Sequence, residues 1–148
     1  MKTLFGPLAN LLMILIFRPV VMFVYSADIT TALALLQNQN RDYWRELKPV
    51  LLLIADAFTA LGGGSTATGT AIVAVVNGVG NEMIINWSQI KPILQTINAR
   101  LIVLGEAVLG ATIEAQLQEI PRDNNQVYAD QIKPILANIS EALSNLGQ

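Results

Sequence analysis

Three stretches of this chain share one pattern, and that pattern restricts the fold more than any other feature. They are WRELKPVL from Trp44, WSQIKPIL from Trp87 and ADQIKPIL from Ala129, with Lys48, Lys91 and Lys133 lying 43 and 42 residues apart. Self-similarity at such a period marks a duplicated supersecondary unit. Around each Lys-Pro pair the apolar residues recur at alternating steps of three and four, which places them on one face of a helix. In the first copy these are Trp44, Leu47, Leu51, Ile54, Phe58 and Leu61; in the second, Trp87, Ile90, Leu94, Ile97, Leu101, Leu104 and Val108. The third starts at Ala129 and continues through Ile132, Leu136, Ile139, Leu143 and Leu146. A seam of this kind predicts a mainly α fold of long amphipathic, coiled-coil-like helices in three repeated units. Val50, Ile93 and Ile135 widen the stripe toward that of a bundle helix.

Stop signals divide the chain. Gly62-Gly63-Gly64 follows the first unit and Gly147 the third, while Pro121, Asp123 and Gln126 supply a breaker and a capping box between the second and third. A cap at Ser26 or Asp28 opens a segment through Gln37 that fuses into the first unit. The organisation expected is an apolar N-terminal segment over 1–26, helical unit 1 over 27–61, a Gly-rich connector over 62–81, unit 2 over 82–120 and unit 3 over 121–148. As one straight helix, unit 2 would run about 57 Å.

The proline inside each unit has two readings. A proline in a helix interior removes a hydrogen bond and clashes with the carbonyl four residues back, at about 3 kcal/mol. Either Pro49, Pro92 and Pro134 begin their helices at the first position, where no bond is lost, or all three helices bend at the same place. Lys91 and Lys133 are expected to solvate the bend.

Residues 65–86 depart from the helical pattern. The β-branched run from Thr70 to Val76, followed by Asn77-Gly78, reads as a strand entering a hairpin turn; an apolar loop and an intersubunit strand are the other options.

From Leu4 to Tyr25 the chain is almost uniformly apolar, LFGPLANLLMILIFRPVVMFVY. As a helix this stretch would span about 33 Å, enough for a hydrocarbon core of roughly 30 Å. Arg18 opposes insertion by about 2.5–3.5 kcal/mol at mid-membrane, but it lies past the centre and can snorkel. A signal peptide, with Lys2 ahead of an apolar Leu8 to Phe17, and a helix buried against protein are the competing readings.

A length of 148 residues is about one domain. Hydrophobic residues make up 53% and charged residues 14%, against roughly a quarter charged in ordinary soluble domains, so some apolar surface is expected to meet lipid or other subunits. The net charge of −2, with scattered Lys and Arg, offers no footprint for nucleic acid. With no Cys and no His, thiolate metal sites and the commonest general base are excluded.

Candidate chemical motifs fail on inspection. The glycines of Gly64 to Thr70 have phosphate-loop spacing, but Thr70 stands where the lysine must be. Ser88 and Lys91 match S-x-x-K without its companion motifs. Glu106, Glu114 and Glu119 fall on outward helix positions, and Asp56, in the most apolar helix, must find water or a cation.

No catalytic, cofactor-binding or metal-ligating residue is therefore expected. The reading that follows is a non-enzymatic structural protein, its seam residues forming the interface of a homo-oligomer, a trimer foremost, together with other assembly proteins. A fibre, tail or shell component of a virus-like particle in the virion or another extracellular assembly fits that pattern. The alternative is a membrane-associated adaptor or accessory subunit anchored through Leu4 to Tyr25.

Overall fold

The computed structural model describes residues 20–36, 44–120 and 129–147. They form helices α1 (residues 20–34), α2 (Trp44–Leu61), α3 (Ser65–Asn77), α4 (Trp87–Val103), α5 (Ala107–Glu119) and α6 (Ala129–Leu146), with no strand among the described residues. The architecture is mainly helical.

The three seams make α2, α4 and α6 the inner layer. Leu51, Ile54 and Phe58 of α2, Ile90, Leu94 and Ile97 of α4, and Leu136, Ile139 and Leu143 of α6 are all fully buried in one continuous core. An amphipathic helix is stabilised chiefly by this burial, at about 1.5–3 kcal/mol for each large apolar side chain. The remaining helices carry narrower stripes and cover the inner ones. Ile72 and Val76 are the buried apolar residues of α3, and Ile113 and Leu117 those of α5.

Each inner helix is paired with an outer one running the opposite way. Gly62 and Gly63, both at positive φ, turn α2 into α3; Gly105, at φ 109°, turns α4 into α5. The helices of these two pairs approach closely because the outer one presents glycine at the crossing. A Cβ on Gly69 would stand 2.6 Å from the Thr59 hydroxyl and 2.7 Å from the Ala55 carbonyl oxygen. A Cβ on Gly110 would collide with Ile102, and the Asn98 side-chain amide donates to the Gly110 carbonyl at 3.0 Å.

The third pair joins the two ends of the chain. Ser26 of α1 meets Ser140 of α6, their hydroxyls 2.8 Å apart. Ala55, Asn98 and Ser140 occupy one position of the repeat, at the same 43- and 42-residue spacing as the lysines. Ser26, Gly69 and Gly110 are therefore equivalent as well. Each begins the same apolar ladder at steps of three, four and three: Ile29, Leu33 and Leu36; Ile72, Val76 and Val79; Ile113, Leu117 and Ile120. Among the described residues the helices pack as antiparallel pairs α2·α3, α4·α5 and α6·α1, the last joining the first described helix to the final one.

Several expectations change. Residues 65–77 are helical, not a strand, because a continuously apolar run satisfies helical and strand periods alike and tertiary packing decides between them. Asn77-Gly78 is the end of a helix, with the Gly78 N–H donating to the Val75 carbonyl at 3.0 Å, and so no hairpin turn. The Gly-rich connector shrinks to a short turn. The single long helix of unit 2 is broken at Gly105, whose φ lies outside the helical region.

Near the N-terminus, the expected cap at Ser26 or Asp28 lies inside α1, which is already helical from residue 20, and α1 does not fuse with α2. The prolines do not begin their helices. Each is the sixth residue of its element, so the carbonyls of Arg45, Ser88 and Asp130 lose a helical partner while the helix continues. The expected cap at Pro121, Asp123 and Gln126 lies outside the described residues.

Candidate functional site

The seam residues expected at an interface between copies lie inside one chain. Trp44, Leu47, Leu51, Ile54, Phe58, Trp87, Ile90, Leu94, Ile97, Leu101, Ile132, Leu136, Ile139 and Leu143 are buried, and Leu61, Leu104 and Leu146 are half-buried against the same core. Val108 is 84% exposed, because the break at Gly105 takes it off the seam. Three stripes and their partner helices satisfy one another within the single chain.

The repeated lysine has a role that its sequence did not show. Lys48 donates to the Val79 carbonyl at 2.6 Å and to the Asn81 side chain at 2.7 Å. Lys133 donates to the Leu36 carbonyl. Leu36 and Val79 are equivalent positions just past the ends of α1 and α3, where unpaired carbonyls gather the negative end of the helix dipole. In two of the three pairs, then, the Lys-Pro lysine of the inner helix caps its outer partner. Lys91 instead lies over the Trp87 ring, 5.9 Å from its centroid.

Open grooves also repeat with the unit. One of 210 Å³ lies between α3 and α4, lined by Ala71, Ile72, Val75, Gln89, Pro92, Ile93 and Thr96. Another, of 240 Å³ between α5 and α6, contains the equivalent Gln131, Pro134 and Ile135 beside Glu119 and Asp130. Their recurrence beside Pro92 and Pro134 follows from how successive units pack. Among the described residues no group of three acidic, Cys or His side chains could hold a metal ion. Glu114 and Glu119 are exposed, Glu106 accepts from the Asn145 amide at 3.4 Å, and Asp56 is exposed to water.

The two ends of the molecule differ in chemistry. Alternating helix directions place the starts of α2, α4 and α6 at one end, together with Arg45, Glu46, Lys48, Lys91, Asp130 and Lys133. Glu82 joins them there, paired with Arg45 at 2.6 Å. The opposite end carries the turns at Gly62–Gly64 and Leu104–Glu106, the close of α6 and the start of α1. Its exposed side chains include Val20 at 58%, Phe23 at 66%, Val103 at 71% and Val108 at 84%, while the charged end exposes Leu35 and Met83 among its ionic side chains. This apolar end is the candidate functional surface. Sequence periodicity had placed Val108 on the seam and left Val103 without a role; the glycine beside them is the signal that could have separated both from the core.

Among the described residues no helix is long and apolar enough to cross a membrane. Residues 4–19 of the apolar N-terminal stretch lie outside the described residues. Comparison of the chain with family models, with curated proteins and with solved structures returns no match. The functional reading rests on the chain's own geometry.

Proposed function

We propose that this protein is a non-enzymatic helical module held at a lipid bilayer by its apolar N-terminal stretch, presenting its charged end to water as an adaptor or accessory subunit. The observation that carries this reading is the start of α1. Val20, Val21, Phe23 and Val24 are exposed at the apolar end of the molecule, and across Arg18-Pro19 they continue the apolar stretch that begins at Leu4. A protein surface gains nothing by showing water such a run, whereas about 20 apolar residues in lipid provide an anchor.

The arrangement of charge supports the same orientation. Arg45, Glu46, Lys48, Glu82 and Asp130 lie at the far end, whereas Arg100 and Glu106 at the apolar end are each engaged, by Ser65 and by Asn145. The fibre reading loses the interface it needed, since its seam is closed within one chain. The test is flotation of the full chain with phosphatidylcholine vesicles in a density gradient. Co-migration with lipid that resists high salt is expected. A chain that stays soluble without detergent and remains at the bottom of the gradient overturns the proposal.

A further inference from the structure

We propose that the turn between α4 and α5 is a second lipid contact, in which Val103 and Val108 enter the membrane interface beside the N-terminal anchor. This rests on the anchored reading above. Val103 and Val108 are 71% and 84% exposed and flank Gly105, so two apolar side chains project around one turn, with Ile102 laid across Gly110 behind them. Isolated exposed apolar residues are ordinary on protein surfaces, and what singles these out is their position.

Position follows from the pairing. Asn145 of α6 reaches Glu106 at 3.4 Å, which sets the turn beside the close of α6. Because α6 runs antiparallel to α1, with Lys133 on the Leu36 carbonyl and Ser140 on Ser26, the close of α6 is also the start of α1. The apolar stretch and the turn therefore leave the fold at the same end.

The turn is built to hold its valines outward. The Glu106 N–H donates to the Leu101 carbonyl at 3.0 Å and the Gly110 N–H to the Glu106 carbonyl at 2.8 Å, while Leu104 packs against the core. Between Leu101 and Ile113 the one charged residue is Glu106, half-buried and engaged by Asn145. The other turn at this end, Gly62–Gly64, has no side chain to insert, so contact with lipid is concentrated on one flank.

Lipid fits this patch better than a second copy. A stable protein interface takes about 800 Å² from each partner, far more than two side chains around one turn supply. An interfacial lipid contact needs no matching shape, and a neighbouring anchor holds the turn at high local concentration.

The chain has no cysteine, so an environment-sensitive fluorophore can be placed alone through Val108→Cys, with Glu82→Cys as the control at the charged end. Both probes are read on the full-length protein with phosphatidylcholine vesicles. With lipid, emission from position 108 should shift to shorter wavelength and be quenched by phosphatidylcholine carrying a quencher near the headgroup, while position 82 should do neither. Flotation with position 108 still in water overturns this inference and leaves the anchor standing. Failure to float overturns both. Shielding of position 108 before lipid is added means that the patch is covered by residues 4–19 or by a second copy, and this too overturns the inference.

Discussion

The hydroxyls of Ser26 and Ser140 lie 2.8 Å apart although 114 residues separate them in sequence. Equivalent positions in the other two pairs are filled by Gly69 against Ala55 and by Gly110 against Asn98. Small side chains at this crossing let an outer helix settle on an inner one, and in the third pair that contact joins the two ends of the described chain. Replacing both serines by cysteine should give an intramolecular disulfide in a chain that otherwise lacks cysteine. Closing so long a loop is worth up to about 5 kcal/mol. A species of faster mobility on non-reducing gels and a reductant-sensitive rise in the unfolding midpoint are expected; intermolecular dimers alone would contradict the closure.

Glycine at the crossing makes a second prediction. Gly69→Ala places a methyl group 2.7 Å from the Ala55 carbonyl oxygen, which belongs to helix backbone and cannot step aside. The usual gain from replacing a helical glycine by alanine, up to about 1 kcal/mol, should be reversed to a loss of about 1–3 kcal/mol from overpacking. Gly78→Ala is the control, since its nearest neighbours lie at 3.4 Å or beyond. Urea unfolding of the two variants side by side measures the difference.

How much of this was legible in the sequence depends on how sharply each stripe is cut. In α6, Ile132 stands between Gln131 and Lys133 and Ile139 between Asn138 and Ser140, so that inner helix and its buried face follow directly from spacing, and the shared Lys-Pro register carries the same phase into the more uniformly apolar α2. In α3 the run from Ala71 to Val76 is apolar on every side, and only the packing of Gly69 on Ala55 decides for helix. A lone glycine in a helical pattern is usually tolerated, which is why Gly105 did not announce the break in unit 2. The ladder of Ile29, Leu33 and Leu36 was masked by the stronger hydrophobic signal just before it. The apolar end could not be read at all, because it depends on helix directions that periodicity does not carry.

The lysines divide in a way that stability measurements can resolve. Lys48→Met removes a charged donor from the Val79 carbonyl, and Lys133→Met does the same at Leu36. Each should cost about 1.5–3 kcal/mol, the range for hydrogen bonds to charged groups. Lys91→Met loses only a distant contact with the Trp87 ring, 5.9 Å from its centroid, and should cost about 0.5 kcal/mol. Equal losses at all three positions would mean that the repeated lysine serves a purpose unrelated to capping.

Burial of the seam within one chain also has a concentration signature. Leu94 is fully buried between the inner helices, so Leu94→Ala should destabilise the fold by about 2–5 kcal/mol through lost apolar contact and the cavity left behind. If the seam instead joined separate copies, folding would be coupled to association, and the unfolding midpoint would climb with protein concentration. Denaturation of the full chain and of the Leu94→Ala variant over a hundredfold range of concentration separates the two arrangements. Midpoints that are independent of concentration, offset between the two proteins by a constant amount, are expected from a core closed by Ser26 on Ser140 and by Gly69 and Gly110 on their partners.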